Sequence, residues 1–147
     1  MNISQINRSM KLKPALNRLE GRIAVISGGA NGVGAATSRL FSNEGAAVVI
    51  LDWDRASGEA LQVELADTGA DVRFIYADVS KPEDVATAID LVITQHDHID
   101  ILFNHAGSII VKPFLDYTIE DWDEMMNSNA KSAFLVTRAV LPGMLER

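Results

Sequence analysis

The stretch Ile23-Ala24-Val25-Ile26-Ser27-Gly28-Gly29-Ala30-Asn31-Gly32-Val33-Gly34 decides how this chain folds. An apolar run is followed by a glycine-rich turn and then by residues that open a helix. Glycines at 28, 32 and 34 allow positive φ and let a ligand approach backbone that no Cβ shields. A helix starting there points free N–H groups and the positive end of its dipole at that ligand. The turn therefore suits a diphosphate.

Outward from this turn, apolar runs alternate with helical periodicity. Strands are expected at 22–27, 47–52, 72–77 and 99–104. The first two are almost wholly apolar, as befits strands covered on both faces. Helices are expected at 33–43, 55–67, 81–95 and from 119 toward Pro142, where a proline should end the last one. In 81–95, Val85, Ala88, Ile89, Val92 and Ile93 form one buried stripe. Ser80 and Glu83 have the spacing of a capping box, with Pro82 in the first turn, and Thr118 and Asp121 repeat the pattern. Val33, Ala36, Leu40 and Phe41 share a face of 33–43, and Gly45 and Gly69 follow the first two helices as stops. The order β-α-β-α-β-α-β-α means an α/β, doubly wound parallel sheet with right-handed crossovers. It occupies 20–147 as one domain, after a leader at 1–19 expected to be flexible. The long connection 105–118 reads as a working loop.

The 147 residues are 48% hydrophobic and 22% charged, which suits a globular domain with a real core. A net charge of −7 argues against nucleic acid, whose phosphates call for a basic surface. There is no cysteine, so thiol catalysis and disulfides are excluded. No apolar run approaches the roughly 18 residues of a membrane helix, and the basic leader lacks the apolar core of a secretory signal. A cytoplasmic location is expected.

Asp52 closes the second strand, where a carboxylate can accept from both hydroxyls of an adenosine ribose and would repel a 2′-phosphate. NAD is thus expected rather than NADP. Asp78 closes the third strand and could take the adenine amino group, or cap a turn before Ser80. Asn104-His105-Ala106-Gly107 closes the fourth, beside the first strand at the point where strand order reverses and ligands bind. His96-Asp97-His98 has metal-binding residue types. It lies at the opposite end of the sheet, where histidine complements a helix C-terminus, so no metal is expected.

These residues together resemble the short-chain dehydrogenase/reductase family over 20–147. Ser27 to Gly34 is similar to its cofactor motif, Asp52 to its NAD-selecting acid, and Asp78-Val79 to its adenine-contact pair. Asn104 to Gly107 is similar to its Asn-Asn-Ala-Gly motif, with His105 in place of the second asparagine. Trp122-Asp123, Asn129 and Phe134-Leu135-Val136-Thr137-Arg138 are similar to its fifth helix. The resemblance implies a Rossmann-type sheet of order 3-2-1-4 and hydride transfer between an alcohol or ketone and NAD. The cofactor contacts it implies are Ser27, Gly28, Asn31, Gly32, Val33 and Gly34, then Asp52 and Trp53, Asp78 and Val79, and Asn104, Ala106 and Gly107. It makes Asn129 the asparagine of a catalytic tetrad. On the residues alone, Asn129 shares a helical stripe with Trp122, Met125, Met126 and Ala133, which calls for a paired, buried amide.

The family's serine, tyrosine and following lysine lie beyond the fifth helix, and the sequence stops at Arg147. Tyr76 is followed at +4 by Ser80 and Tyr117 by Asp121, so neither supplies the tyrosine–lysine pair. The expectation is a truncated, dinucleotide-binding half, inactive alone. Its strand 99–104 and helix 119–141 should expose apolar surface and favour self-association. Two other readings remain open at this point. One is a non-catalytic dinucleotide or interaction module docking on a full-length relative. The other is an S-adenosylmethionine-dependent methyltransferase, against which the wide glycine spacing and the Asn104–Gly107 motif argue.

Overall fold

Strand β1 (Ile23–Ser27) is apolar on both faces and lies inside a four-stranded parallel sheet. The computed structural model describes residues 16–147. On one side β1 pairs with β2 (Ala47–Asp52), which pairs with β3 (Val72–Tyr76); on the other it pairs with β4 (Ile101–Asn104). The order is β3-β2-β1-β4, as the resemblance implies. Register places Ala24 beside Val48 and Ile101, and Ser27 beside Leu51 and Asn104, so the carboxyl ends of the three strands lie side by side.

Strand alternation divides the core in two. Val25, Val49 and Leu51 face α3 (Pro82–His96) and α5 (Ser132–Leu145), through Val85, Ala88, Ile89, Val92, Val136 and Val140. Ala24, Ile26, Val48 and Ile50 face α1 (Gly32–Asn43) and α2 (Arg55–Ala66), through Ala35, Leu61 and Leu65. The expected stripe of α3 is buried except for Ile93, which is exposed.

Four local expectations are corrected. The buried face of α1 is Gly34, Ala35 and Ser38, while Val33 is 64% exposed and Ala36 and Leu40 point outward. This helix lies so close to the sheet that only small residues fit beneath it: a Cβ on Gly34 would stand 1.9 Å from the Gly28 carbonyl oxygen. The Ser80–Glu83 capping box does not form, because Ser80 gives both its N–H and its hydroxyl to Asp78. Pro142 sits inside α5 rather than ending it; its position one turn from the end costs only the bond to the Arg138 carbonyl, and Glu146 N–H closes the turn on the Pro142 carbonyl. The long last helix is also not one α-helix. The run α4 (Ile119–Met126), capped by Thr118 and Asp121 as expected, passes through a π-helical turn at Asn127–Lys131 before α5.

Residues 1–15 of the expected leader lie outside the described residues. Residues 16–19 are tied to the end of α1: the N–H groups of Leu16 and Arg18 and the Arg18 guanidinium all donate to the Glu44 carboxylate, and Leu19 N–H donates to the Glu44 carbonyl. The Arg18 guanidinium, with these N–H groups, holds the Glu44 carboxyl below its ordinary range.

Candidate active site

All four strands deliver their carboxyl ends to one cleft of about 310 Å³. Its floor is the glycine turn, through Gly28, Asn31 and Gly32. Leu51, Asp52 and Trp53 form one wall, and Ala77 to Ser80 extend it. His105, Ala106, Gly107 and Ser128 form the other. Gly28 has φ 66° and Gly32 has φ 52°, conformations that favour glycine. They differ in surroundings. A Cβ on Gly28 would stand 2.7 Å from the Ala106 Cα, so its bareness lets two backbones meet; a Cβ on Gly32 would meet nothing within 4 Å, so its bareness leaves room above the turn.

The polar groups around the cleft first organise one another. Asp52, 8% exposed, accepts the Ala30 N–H at 3.0 Å through Oδ2 and the Asp54 N–H at 3.0 Å through Oδ1. A carboxylate offers about four acceptor positions, so it can still receive two hydroxyls. Asn31 donates its amide to Asp54 Oδ2 at 3.0 Å, and Asp54 caps α2 by accepting the Ser57 N–H and hydroxyl. The Ser57 donors, with the Asn31 amide, hold the Asp54 carboxyl low. Burial pushes Asp78 up, but the Ser80 hydroxyl and N–H and the Lys81 ammonium prevail and keep it ionised below its usual range. Asp78 thus makes the turn that was one of its two expected roles, while still lining the cleft.

Some expected contacts stand behind the cleft wall. Ser27 is buried, and its hydroxyl accepts the N–H groups of His105 at 3.1 Å and Ala106 at 3.2 Å, binding the end of β1 to the loop after β4. Asn104 turns outward and donates to the Thr137 hydroxyl of α5 at 2.8 Å. Gly34 seats the helix, and Val33 faces solvent beside the cleft without lining it. Trp53, Val79, Ala106 and Gly107 line it.

Asn129 is exposed, not buried, which corrects the stripe reading. The π turn breaks the 3.6-residue period on which that stripe rests, and Trp122 and Met126 are exposed with it. The amide is nonetheless paired: Nδ2 donates to the carbonyls of Ser108 and Met125, each at 2.8 Å. Its Oδ1 lies 2.3 Å from where a Gly107 Cβ would be, so Gly107 is bare to admit Asn129. Ser108 and Ser128 hydroxyls bond at 2.7 Å alongside. Ser128, Leu51, Ala77 and Ser80 are lining residues that sequence reading did not select. Leu51 and Ala77 follow once strand ends are known; the π turn that aims Ser128 leaves no periodic signal.

His96 and Asp97 end α3, with Asp97 at φ 69°, and His98 pairs with Asp100 at 3.1 Å, at the sheet end away from the cleft. Among the described residues no group of three or more metal-binding side chains gathers, and no helix is long and apolar enough to cross a membrane.

A family model described as short chain dehydrogenase matches residues 22–147. The chain belongs to the short chain dehydrogenase family. The chain is 32% identical over 129 residues to cyclopentanol dehydrogenase of Comamonas testosteroni, covering 88% of this chain and 52% of that one. It is 39% identical over 122 residues to tropinone reductase-like 1 of Erythroxylum coca, covering 80% and 44%. A solved short chain dehydrogenase from Mycobacterium smegmatis superposes with a TM-score of 0.86 at 30% identity, covering 93% of this chain and 57% of that one. The chain thus spans about half the length of the curated relatives it matches. The family consists of oxidoreductases that work with a nicotinamide dinucleotide, NAD or NADP.

Proposed function

We propose that residues 20–147 are the NAD-binding half of an alcohol or ketone oxidoreductase. The observation that carries this is the cleft at the β1–β4 switch point, where bare backbone at Gly28 and Gly32 faces the Asp52 carboxylate. The glycine turn would hold the diphosphate with the N-terminal N–H groups of α1. Asp52 would take the ribose hydroxyls with its two remaining acceptor positions and disfavour a 2′-phosphate; Asp54 adds a second negative charge nearby. Asp78 and Val79 would meet the adenine, and Trp53 would cover the mouth. When bound, NAD accepts hydride from an alcohol carbon. The part of this chain in that chemistry is to hold the dinucleotide and, through Asn129, to fix the loop Gly107–Ser108 against α4.

Within residues 1–147 no tyrosine has a lysine four positions on, so this stretch alone is proposed to bind NAD without oxidising alcohols. A cytoplasmic location is proposed on the same terms. Self-association through 99–104 and 119–141 is proposed on the same terms: 119–141 carries exposed apolar side chains, Phe134 being 59% exposed, and Ile101, Leu102 and Phe103 of the edge strand are only half-buried. The deciding experiment is titration with NAD and NADP followed by Trp53 fluorescence. Saturable quenching by NAD at a Kd at least about tenfold below that for NADP is expected, because repulsion at Asp52 of about 1.4 kcal/mol suffices for that ratio. Equal affinities, or none for either, would overturn the proposal.

A further inference from the structure

His105 stands where the family's motif carries asparagine, and its surroundings are unusual for a side chain lining a cleft. Its ring stacks on Phe103, with centroids 5.5 Å apart and planes 11° from parallel, which fixes its orientation. Its Cδ2 lies 2.9 Å from the place a Gly34 Cβ would occupy, so the ring is packed on the first turn of α1, beside the glycine turn. Its backbone N–H is taken by Ser27, but among the described residues neither ring nitrogen has a hydrogen-bond partner. An imidazole is the side chain whose charge changes between about pH 5 and 8.

The charges facing it can be named element by element. The first turn of α1 and the loop 106–108 carry no titratable side chain. The turn after β1 carries none either. Across the cleft stand the carboxylates of Asp52 and Asp54, which keep their negative charge while accepting N–H donors, and that of Asp78, which is paired with Lys81. Nearest the ring is the positive end of α1, which opposes a charge on the imidazole until an anion settles on the turn and adds to the negative field of those carboxylates.

We propose that His105 makes dinucleotide binding proton-linked, its imidazole taking up a proton as a diphosphate settles on the glycine turn. The proposal rests on the dinucleotide reading of the cleft and adds to it a residue that an asparagine at this position could not replace. Linkage is reciprocal, so affinity for the diphosphate rises as pH falls. Adenosine, which has ribose and adenine but no phosphate, would bind without the proton.

The test is calorimetric titration of the protein with NAD and with adenosine in two non-phosphate buffers of different ionisation enthalpy, between pH 6 and 8. For NAD, net proton uptake is expected, with affinity about threefold to tenfold tighter at pH 6 than at pH 8. Adenosine should show neither, and His105→Asn should bind NAD with no uptake and a flat pH profile. His105→Gln serves as a second variant. NAD binding by the unaltered protein without uptake would overturn this inference alone, as would uptake that persists in the variants or an equal uptake with adenosine. Absence of NAD binding at every pH would overturn the dinucleotide reading and this inference with it.

Discussion

On the β1–β2 side, Ala24 to Ser27 and Val48 to Asp52 are all buried, and helices α1 and α2 approach closely enough to need glycine beneath them. On the β4 side, Ile101, Leu102 and Phe103 are only half-buried, Asn104 is exposed, and apolar side chains of the following loop and of α4 stand in solvent. The same fold thus contains one region where atoms touch on every side and another where large side chains meet little. The cleft lies on the seam between them, with Gly28 and Ala106 in backbone contact. Free energy of packing comes from atoms removed from water and fitted together, so identical substitutions should differ sharply across this seam.

The largest difference should come from truncating one large apolar side chain in each region. Ile26 is 0% exposed, and Ile26→Ala leaves a cavity between the sheet and α1–α2; a loss of about 3 kcal/mol in urea unfolding is expected. Leu115 is 93% exposed, and Leu115→Ala should change stability by no more than about 0.5 kcal/mol. Comparable losses at the two positions would mean that the 105–118 loop is packed in solution, and the contrast drawn here would fail.

Glycines sharpen the comparison within the tight region. Gly34→Ala drives a methyl into the Gly28 carbonyl and the His105 ring, so α1 must shift; about 2–3 kcal/mol should be lost, together with the NAD affinity proposed for the cleft. Gly32→Ala has open space and only its positive φ to oppose it, which costs about 1–2 kcal/mol. Thermal unfolding of the pair would check the order. A Gly34→Ala protein as stable as the parent would show that α1 does not lie where its close contacts put it.

This steric detail marks the boundary of what the sequence reveals. The parallel sheet, the cleft and its Asp52 wall could be read because alternation, glycine and strand-end acids act locally or follow fixed chirality rules, while the strand order came from the family resemblance. The face of α1 could not: Val33, Ala36 and Leu40 make a plausible stripe, and only the sheet's proximity turns Gly34, Ala35 and Ser38 inward. Asn129 failed for a related reason, since one wide turn at Asn127–Lys131 moves every later side chain relative to an ideal helix. Ser27 was legible as part of a motif but not as the tie between β1 and the His105–Ala106 backbone, because its partners come from a distant strand end. Ser27→Ala leaves those two N–H groups without an acceptor. It should cost about 1–3 kcal/mol and loosen the cleft, measurable as faster amide exchange at His105 and Ala106.

The smallest effect should come from the outer surface of the tight region, where α1 and α2 are joined by Arg39 and Glu64. The guanidinium donates through Nε at 2.6 Å and Nη2 at 2.7 Å, a bidentate pair, and it holds the Glu64 carboxyl below its ordinary range despite some burial. Both side chains are largely wet, at 37% and 51% exposed, so solvent screens the pair and its worth is about 0.5 kcal/mol. The sign follows from linkage: a carboxyl with a lower pKa folded than unfolded adds stability above its unfolded value, about 4.3, and loses it as pH falls through the folded value. Glu64→Gln should therefore lower stability slightly at pH 7, approach the parent as pH falls through the folded value, and lose most of its effect in 1 M salt. A larger, salt-independent loss at pH 7 would show that the α1–α2 surface is packed as tightly as the sheet beneath it, extending the ordered region outward to the helices themselves.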